Sequence, residues 1–411
     1  VNQAELIPNL FRTEYRKISA VLCKLFGIEH IEVAEDIVSE TFLAATETWG
    51  HKGLPENPTA WLYTVAKNKA KNYLRHQNIF DKKVKQHLGV PDIAEPEVDL
   101  SEKNIEDSQL AMIFAICQPS IPAEAQIGLA LRILCGFGIE EIATAFLTSK
   151  ETINKRLFRA KEKLREENVK IEFPGKHEIP NRLDTVLTTL YLLFNEGYYS
   201  LSQDTALRKD LCLEAMRLTH LLAENELTKS PSVYALLALM CFQASRFDAR
   251  QNENGETILY QDQDARLWDM DFINKGIQFL MEASQGNELS KYQLEAGIAF
   301  CHTQQADTKE KWNNILQLYN QLLMLQYSPM AALNRTYALY KVFGKEVARA
   351  EAEQLNLEGN LLYHSLLGEL YRGHDNEKAI EHFQKVIALS KSPATRAVHE
   401  NKIEGIRESS V

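Results

Sequence analysis

Apolar residues recur at spacings of three and four along nearly the whole chain, and the alternation expected of strands is absent. The pattern predicts an all-α protein. A first helix is expected over Leu10–Phe26. After a turn at Gly27–Ile31, a second runs from about Glu32 to Trp49 on a stripe of Val33, Ile37, Val38, Thr41, Ala45 and Trp49. The loop His51–Pro58, with two prolines and a glycine, breaks the chain. A third helix follows from Thr59, a plausible N-cap, to His76. Between Ile121 and Glu167 three helical patterns are separated by GFG (Gly136–Gly138) and by LTS (Leu147–Ser149). The last of them is expected to open with a capping box of Thr148 and Glu151, and it buries Ile153, Leu157, Ala160 and Leu164. Later helices are expected over Arg182–Tyr199, ended by Gly197, over Leu207–Ala223, over Ser232–Ser245, and over Ala265–Leu280 with Asp264 as N-cap.

The breaks in this pattern divide the chain. Residues 1–88 form one helical domain, and residues 89–108 an acidic linker with two prolines and no helical periodicity. Residues 109–172 form a helix-turn-helix domain, and residues 173–411 a helical extension opened by the break FPGKHE (Phe173–Glu178).

Charge changes the picture locally. The chain carries a formal −10, which is not the global mark of a nucleic-acid binder. Residues 1–172 hold 22 Lys/Arg against 25 Asp/Glu, and the remainder 24 against 31. The cations are concentrated. Trp61–Lys85 has seven Lys/Arg and one Asp, and Lys150–Arg165 has seven Lys/Arg and two Glu. A helix with a narrow apolar stripe and a basic outer face suits a DNA major groove, where amines neutralise phosphates and Asn or Arg reads base edges. A solvated basic helix in an ordinary bundle is the plain alternative. The third helix mixes Trp61, Tyr63 and Tyr73 with Lys67, Lys69, Lys71 and Arg75, an interleaving that suits single-stranded DNA, although core packing of each aromatic is the simpler reading. The second helix carries another stripe of Asp36, Glu40, Leu43 and Glu47. It is either a docking face for a basic helix or a solvated face.

AEDIVSETFLAATETW (Ala34–Trp49), a Pro-containing loop and AWLYTVAKNKAKNYLRH (Ala60–His76) together resemble region 2 of an extracytoplasmic-function (ECF) RNA polymerase sigma factor. The helix-turn-helix resembles region 4 of the same family, so the likeness spans residues 5–168 in the family's order. Ser39 departs from the glutamine that many members carry. The resemblance implies that Asp36, Glu40 and Leu43 face the clamp helices of the polymerase's largest subunit. It implies that the Pro55–Pro58 loop with Lys67, Asn68, Lys71, Asn72 and Arg75 holds the melted −10 strand. It further implies that Ser149, Thr152, Asn154, Lys155, Arg156 and Arg159 lie at the −35 duplex, with the helix-turn-helix domain also touching the polymerase flap.

The extension resembles that of the ECF subgroup with tetratricopeptide-like helices, on the phrases NEGYYS (Asn195–Ser200) and QDQD (Gln261–Asp264). From about residue 290 the chain looks repetitive. Leu367, Gly368, Tyr371, Ala379, Phe383 and Pro393 fall close to a tetratricopeptide pattern. The extension is expected to pack against the promoter-binding half and set the spacing of its two domains, which the linker alone leaves open; a free tethered domain is the alternative.

Other chemistry is absent from the pattern. No P-loop, zinc-protease or nucleophile-elbow motif occurs, so no enzyme and no cofactor are expected. The six cysteines are scattered in apolar helical contexts, and the acids Asp262, Asp264, Asp269 and Asp271 match no calcium-loop spacing, so no metal is expected. With no signal peptide and no spanning segment, the expected setting is the cytoplasm and no membrane is involved. The reading is a sigma factor that binds core RNA polymerase and promoter DNA. Its alternative is a helix-turn-helix regulator whose repeat domain senses a partner or ligand. The Ala34–His76 stretch separates them, since a duplex-binding regulator needs no acidic docking face.

Overall fold

The computed structural model describes residues 3–85, 97–199, 205–250, 258, 260–286, 289–390 and 393–408. It is all-α, as the periodicity predicts, and no strand occurs among the described residues. The chain forms two compact units, residues 1–229 and 230–411.

The first unit begins with α1 (Gln3–Phe26), α2 (Ile31–Lys52) and α3 (Pro58–Lys85). Tyr15, Ile18 and Leu22 of α1 pack with Ile31, Val38 and Phe42 of α2 and with Leu62, Ala66 and Ala70 of α3, all buried. Trp49 and Trp61 meet edge to face at 5.3 Å across the loop between α2 and α3, so the aromatic at position 61 serves the core. Tyr63 donates to Glu14 of α1 at 2.7 Å. Asn57, not Thr59, caps α3: its Oδ1 accepts from the Ala60 N–H at 3.0 Å. Pro58 then takes the first helical position, where it has no N–H to lose.

The linker is shorter than expected. Residues 86–96 lie outside the described residues, but Val98 and Leu100 are buried and α4 (Glu102–Ile116) starts where linker was anticipated. Ser101 caps α4, and Asp99 accepts from the Ser101 N–H at 2.9 Å. Next come α5 (Ala123–Leu129), a π-helical turn over Ala130–Leu134, α6 (Ile139–Ala145) and α7 (Lys150–Glu166). Glu141 reaches back to the Gly138 N–H at 2.7 Å and fixes the start of α6. The turn into α7 puts Leu147 in the left-handed region at φ 48°. The Thr148 N–H closes α6 on the Ala143 carbonyl at 2.9 Å, so the cap of α7 falls to Ser149, one residue later than expected. The Ser149 Oγ accepts from the Thr152 N–H at 3.2 Å.

Two further helices, α8 (Ile179–Tyr198) and α9 (Thr205–Glu224), belong to this same unit, so the boundary expected at residue 172 falls inside it. Thr189 of α8 donates to Gln126 of α5 at 2.6 Å, and Arg182 donates to the Phe114 carbonyl of α4. Glu214 of α9 pairs with Arg16 of α1 and, at 2.8 Å, with Arg217. Arg217 in turn donates to the Leu134 carbonyl at 2.9 Å and to Gln109 of α4 at 3.3 Å. Gly197 does not end α8 in the way expected. It lies inside the helix, where a Cβ would stand 2.6 Å from the Arg208 carbonyl oxygen and 2.7 Å from the Cys212 Sγ. The missing side chain lets α9 approach.

The second unit comprises α10 (Pro231–Ala244), α11 (Met270–Ala283), α12 (Lys291–His302), α13 (Lys309–Leu325), α14 (Pro329–Phe343), α15 (Lys345–Ala352), α16 (Leu361–Tyr371), α17 (Asn376–Leu389) and α18 (Pro393–Glu408). Consecutive helices pack side by side. Asp264 caps only a short 3-10 turn, and Asp269 caps α11, accepting from the Asp271 and Phe272 N–H groups. Gly368 lies against the Phe383 ring and Gly276 against the Phe242 ring, so small residues again set how closely helices meet. Leu367, Tyr371, Ala379 and Phe383, singled out by the repeat pattern, are all buried.

Glycine chemistry gives a paired test. Gly197→Ala forces a methyl against backbone and is expected to lose about 1–3 kcal/mol of stability. Gly50→Ala, on the exposed side of α2 with nothing within 4 Å, is expected to gain up to about 1 kcal/mol. Urea unfolding of the two variants beside the wild type measures both signs.

Candidate nucleic-acid and protein interfaces

The burial of one side of α2 turns the other outward. Ile31, Ala34, Ile37, Val38, Thr41, Phe42, Ala45 and Trp49 are buried, which leaves Asp36, Glu40 and Leu43 on the exposed face. Leu43 is 59% exposed, an uncovered apolar side chain among carboxylates. Glu40 pairs with Lys69 of α3 at 2.6 Å, so one acid of the stripe is shared with the neighbouring helix.

On α3 the buried row of Leu62, Ala66 and Ala70 sends Asn68, Lys71, Asn72 and Arg75 to the surface at spacings of three and four, with Lys67 half-buried beside them. The Asp99 carboxylate is held below its ordinary value chiefly by hydrogen bonds from Ser101, with a smaller contribution from the charge of Lys67. Lysines 82, 83 and 85 have side chains outside the described residues.

On α7, Ile153, Leu157, Ala160 and Leu164 are buried as the stripe predicts. Asn154, Lys155 and Arg159 are exposed and have no ion pair among the described residues. Ser149 and Thr152 are exposed too, but their oxygens lie 3.1 Å apart and serve the helix start. Arg156 is turned inward. Its guanidinium stands 5.4 Å from the Phe146 ring centroid and pairs with Glu124 of α5 at 3.3 Å. A cleft of about 550 Å³ runs between α5 and α7, lined by Thr152, Lys155, Arg156, Arg159 and Lys163 on one side and by Ser120, Pro122 and Glu124 on the other. Phosphate fits the charge of the α7 wall.

The sequence reading missed a third set of residues. Glu35 of α2 is 8% exposed, and its two oxygens accept from Arg132 Nε and Lys161 Nζ, each at 2.7 Å. Glu32 pairs with Arg165 and, at 3.4 Å, with Lys161. Arg132 also donates to the Phe137 carbonyl at 3.3 Å and stands 5.9 Å from the Tyr15 ring centroid. Burial pushes the Tyr15 hydroxyl up to about 12. Residues 1–88 and 109–172 are therefore tied directly, which corrects the expectation that the linker alone joins them. The signal was present: Glu35 interrupts an otherwise apolar row of α2, and Lys161 follows Leu157 and Ala160. A charge on a buried stripe demands a charged partner.

Two stretches of the chain match known families, and the second of them runs across the boundary at residue 229. Residues 10–79 match the family described as Sigma-70 region 2, and residues 182–284 match a family of unknown function (DUF6596). An uncharacterized protein of Rhizobium meliloti is 33% identical over 377 residues, which covers 90% of this chain and 88% of that protein. The RNA polymerase sigma-H factor of Pseudomonas aeruginosa is 28% identical over 142 residues, 33% of this chain and 72% of that factor. No solved structure matches. The N-terminal segment is thus a sigma-70 region 2, and it coincides with α1 to α3. Among the described residues no helix is long and apolar enough to cross a membrane, and no group of three or more His, Cys, Asp or Glu could hold a metal ion.

The contact between α2 and α7 sets a pH dependence. Burial raises the Glu32 pKa, but the charge of Lys161, a backbone hydrogen bond and then the charge of Arg165 outweigh it, and the carboxyl sits below its ordinary 4.5. A depressed carboxylate stabilises the fold above its unfolded value and loses that contribution as pH falls through the folded one. Thermal unfolding of the wild type and of Glu32→Gln should differ at about pH 6 and converge as pH drops well below about 4.

Proposed function

The chain belongs to the same family as the uncharacterized Rhizobium meliloti protein, and we propose that it works as an ECF-type sigma factor. One observation carries this: the region 2 match covers α1 to α3, so the acidic face of α2 and the cationic face of α3 both fall within it. In this reading Asp36, Glu40 and Leu43 dock α2 on the clamp helices of the polymerase's largest subunit. The exposed leucine supplies apolar contact and the carboxylates select a basic partner. Lys67, Asn68, Lys71, Asn72 and Arg75 hold the melted −10 strand, with amines on phosphates and amides free for base edges. The α6–α7 pair is a helix-turn-helix that seats α7 in the −35 major groove and touches the polymerase flap. Asn154, Lys155 and Arg159 are poised for base and phosphate contact. Ser149 and Thr152 contribute from the helix start, and Arg156 does so once DNA displaces Glu124.

The helical extension acts as an intramolecular regulator. The support is that α8 and α9 share a compact unit with the promoter-binding helices and bond to α1, α4 and α5. The later helices are tetratricopeptide-like repeats that present a binding surface. The protein is a non-enzymatic initiation factor that works in the cytoplasm, where polymerase is.

Asp36→Lys with Glu40→Lys is expected to abolish capture of core polymerase while circular dichroism stays unchanged, since both side chains are exposed. Wild-type capture would remove the docking face. Lys155→Ala and Arg159→Ala are each expected to cost about 1–3 kcal/mol of −35 affinity if they read bases. Phosphate contact alone would lower affinity evenly across sequences and flatten the salt dependence by about one counterion per residue. Gel shifts at several salt concentrations separate the two.

A further inference from the structure

Charge is spread along most of this chain, so its gaps are informative. The longest run without Lys, Arg, Asp or Glu is Trp312–Asn334, 23 residues that cover most of α13, its turn and the start of α14. Two runs of 16 residues, 108–123 and 230–245, come next. They fall largely in α4 and α10, whose side chains are mostly buried, and burial accounts for their lack of charge. The run in α13 is different. Trp312, Ile315, Leu316 and Leu322 pack inward against α12 and α14. The opposite face is open: Asn314, Gln317, Gln321 and Met324 follow at spacings of three and four, and all are exposed. Leu325 and Tyr327 carry this face around the corner into α14. Met324 is 86% exposed and Tyr327 66%.

The charges that bound the run do not intrude on it. Lys311 is buried and donates to the Tyr260 hydroxyl at 2.8 Å and to the Gln304 carbonyl at 2.7 Å. Arg335 pairs with Glu351 and donates to Asn320. An exposed helix face is ordinarily charged, as α17 shows with Glu377, Lys378 and Glu381. Depletion of Lys, Glu and Asp together with Met and Tyr is instead the composition of the core of a protein–protein contact. Methionine adapts its shape to what it meets, and tyrosine offers apolar area with a polar tip.

We propose that this face is where two copies of the chain meet, about a two-fold axis near the middle of the uncharged run. Charge decides the occupant. The chain carries a formal −10, so two copies repel each other overall. A two-fold contact sets one patch against the same patch, and any charge near the axis would meet its own kind. An uncharged patch avoids that penalty. Each glutamine or asparagine amide holds both donors and an acceptor, so it can pair with an identical amide, and Met324, Leu325 and Tyr327 can pack on their own copies. A foreign partner is selected by opposite charge, and this face offers none. Gln321 and Met324 flank the middle of the run, so they stand nearest the axis. The proposal concerns the second unit alone and does not depend on the sigma-factor reading.

Sedimentation of the full chain tests it without polymerase or DNA. At roughly 50 μM, a concentration at which even a micromolar contact is mostly formed, the wild type should show twice the monomer mass of 46.9 kDa and should dissociate on dilution. Gln321→Glu with Met324→Glu places like charges at the axis and should weaken the dimer roughly a hundredfold. Gln321→Lys with Met324→Lys should do the same. Both positions are exposed, so circular dichroism should be unchanged in each. An equimolar mixture of the two double variants should recover the dimer, because opposite charges then face each other. A monomeric wild type would overturn the proposal and leave the face to a different protein. A dimer that persists unchanged in both double variants would overturn it too, by placing the contact elsewhere. A mixture that stays monomeric would overturn the self-facing arrangement.

Discussion

A single buried carboxylate, Glu35, is the constraint on which the first unit depends. It comes from α2, and both of its oxygens are satisfied by cations from elsewhere, Arg132 in the π-helical turn and Lys161 in α7. A buried charge is tolerated only with its partners in place, and removing one partner costs far more than the pair contributes. Such a group therefore fixes geometry more than it adds stability. Three elements far apart in sequence must meet at one point, and an apolar contact of the same area would not demand that registry. Region 2 thus has one specified seat on the helices that follow it.

The second charged node has the same logic. Arg16, Glu214 and Arg217 join α1 to α9, and Arg217 also satisfies a carbonyl at the end of the π-helical turn. The α8–α9 seam differs. Gly197 allows backbone-to-backbone approach, and Cys212, Phe194 and Leu211 fill the seam. Such a seam is held by close apolar packing, whereas the two charged nodes are held by directed ion pairs.

Helical periodicity made the elements legible, because each buried stripe repeats within its own helix. Caps were less legible. Asn57 and Ser149 each displaced a neighbouring threonine, since proline at the first position in one case and closure of α6 in the other decided which residue stood at the boundary. The exposed acids of α2 and the cations of α3 and α7 could be placed on faces from spacing alone. Their mutual contacts could not. Glu35 with Lys161 is a pairing across 126 residues, and no local pattern encodes which distant charge a buried acid will meet. Gly197 was misread for a related reason. A glycine near a helix end is most simply a terminator, and only the position of α9 shows that close approach is its use.

Self-pairing also bears on how an acidic chain can bind DNA at all. With a formal −10, the long-range field repels a polyanion and keeps non-specific association low. The cations are in turn partly engaged by the chain's own carboxylates: Lys69 by Glu40, Arg156 by Glu124, and Lys161 with Arg165 by Glu32 and Glu35. Each of these pairs must exchange a carboxylate for a phosphate, or be moved aside, before the full cationic surface faces DNA. A backbone phosphodiester carries one charge and two free oxygens, as a carboxylate does, so the exchange is near balance locally and provides little attraction at a distance. In the sigma-factor reading, binding is therefore conditional on a partner that delivers the chain to the duplex. A low long-range attraction combined with cations held locally by carboxylates is the charge pattern that such a dissociable subunit would require.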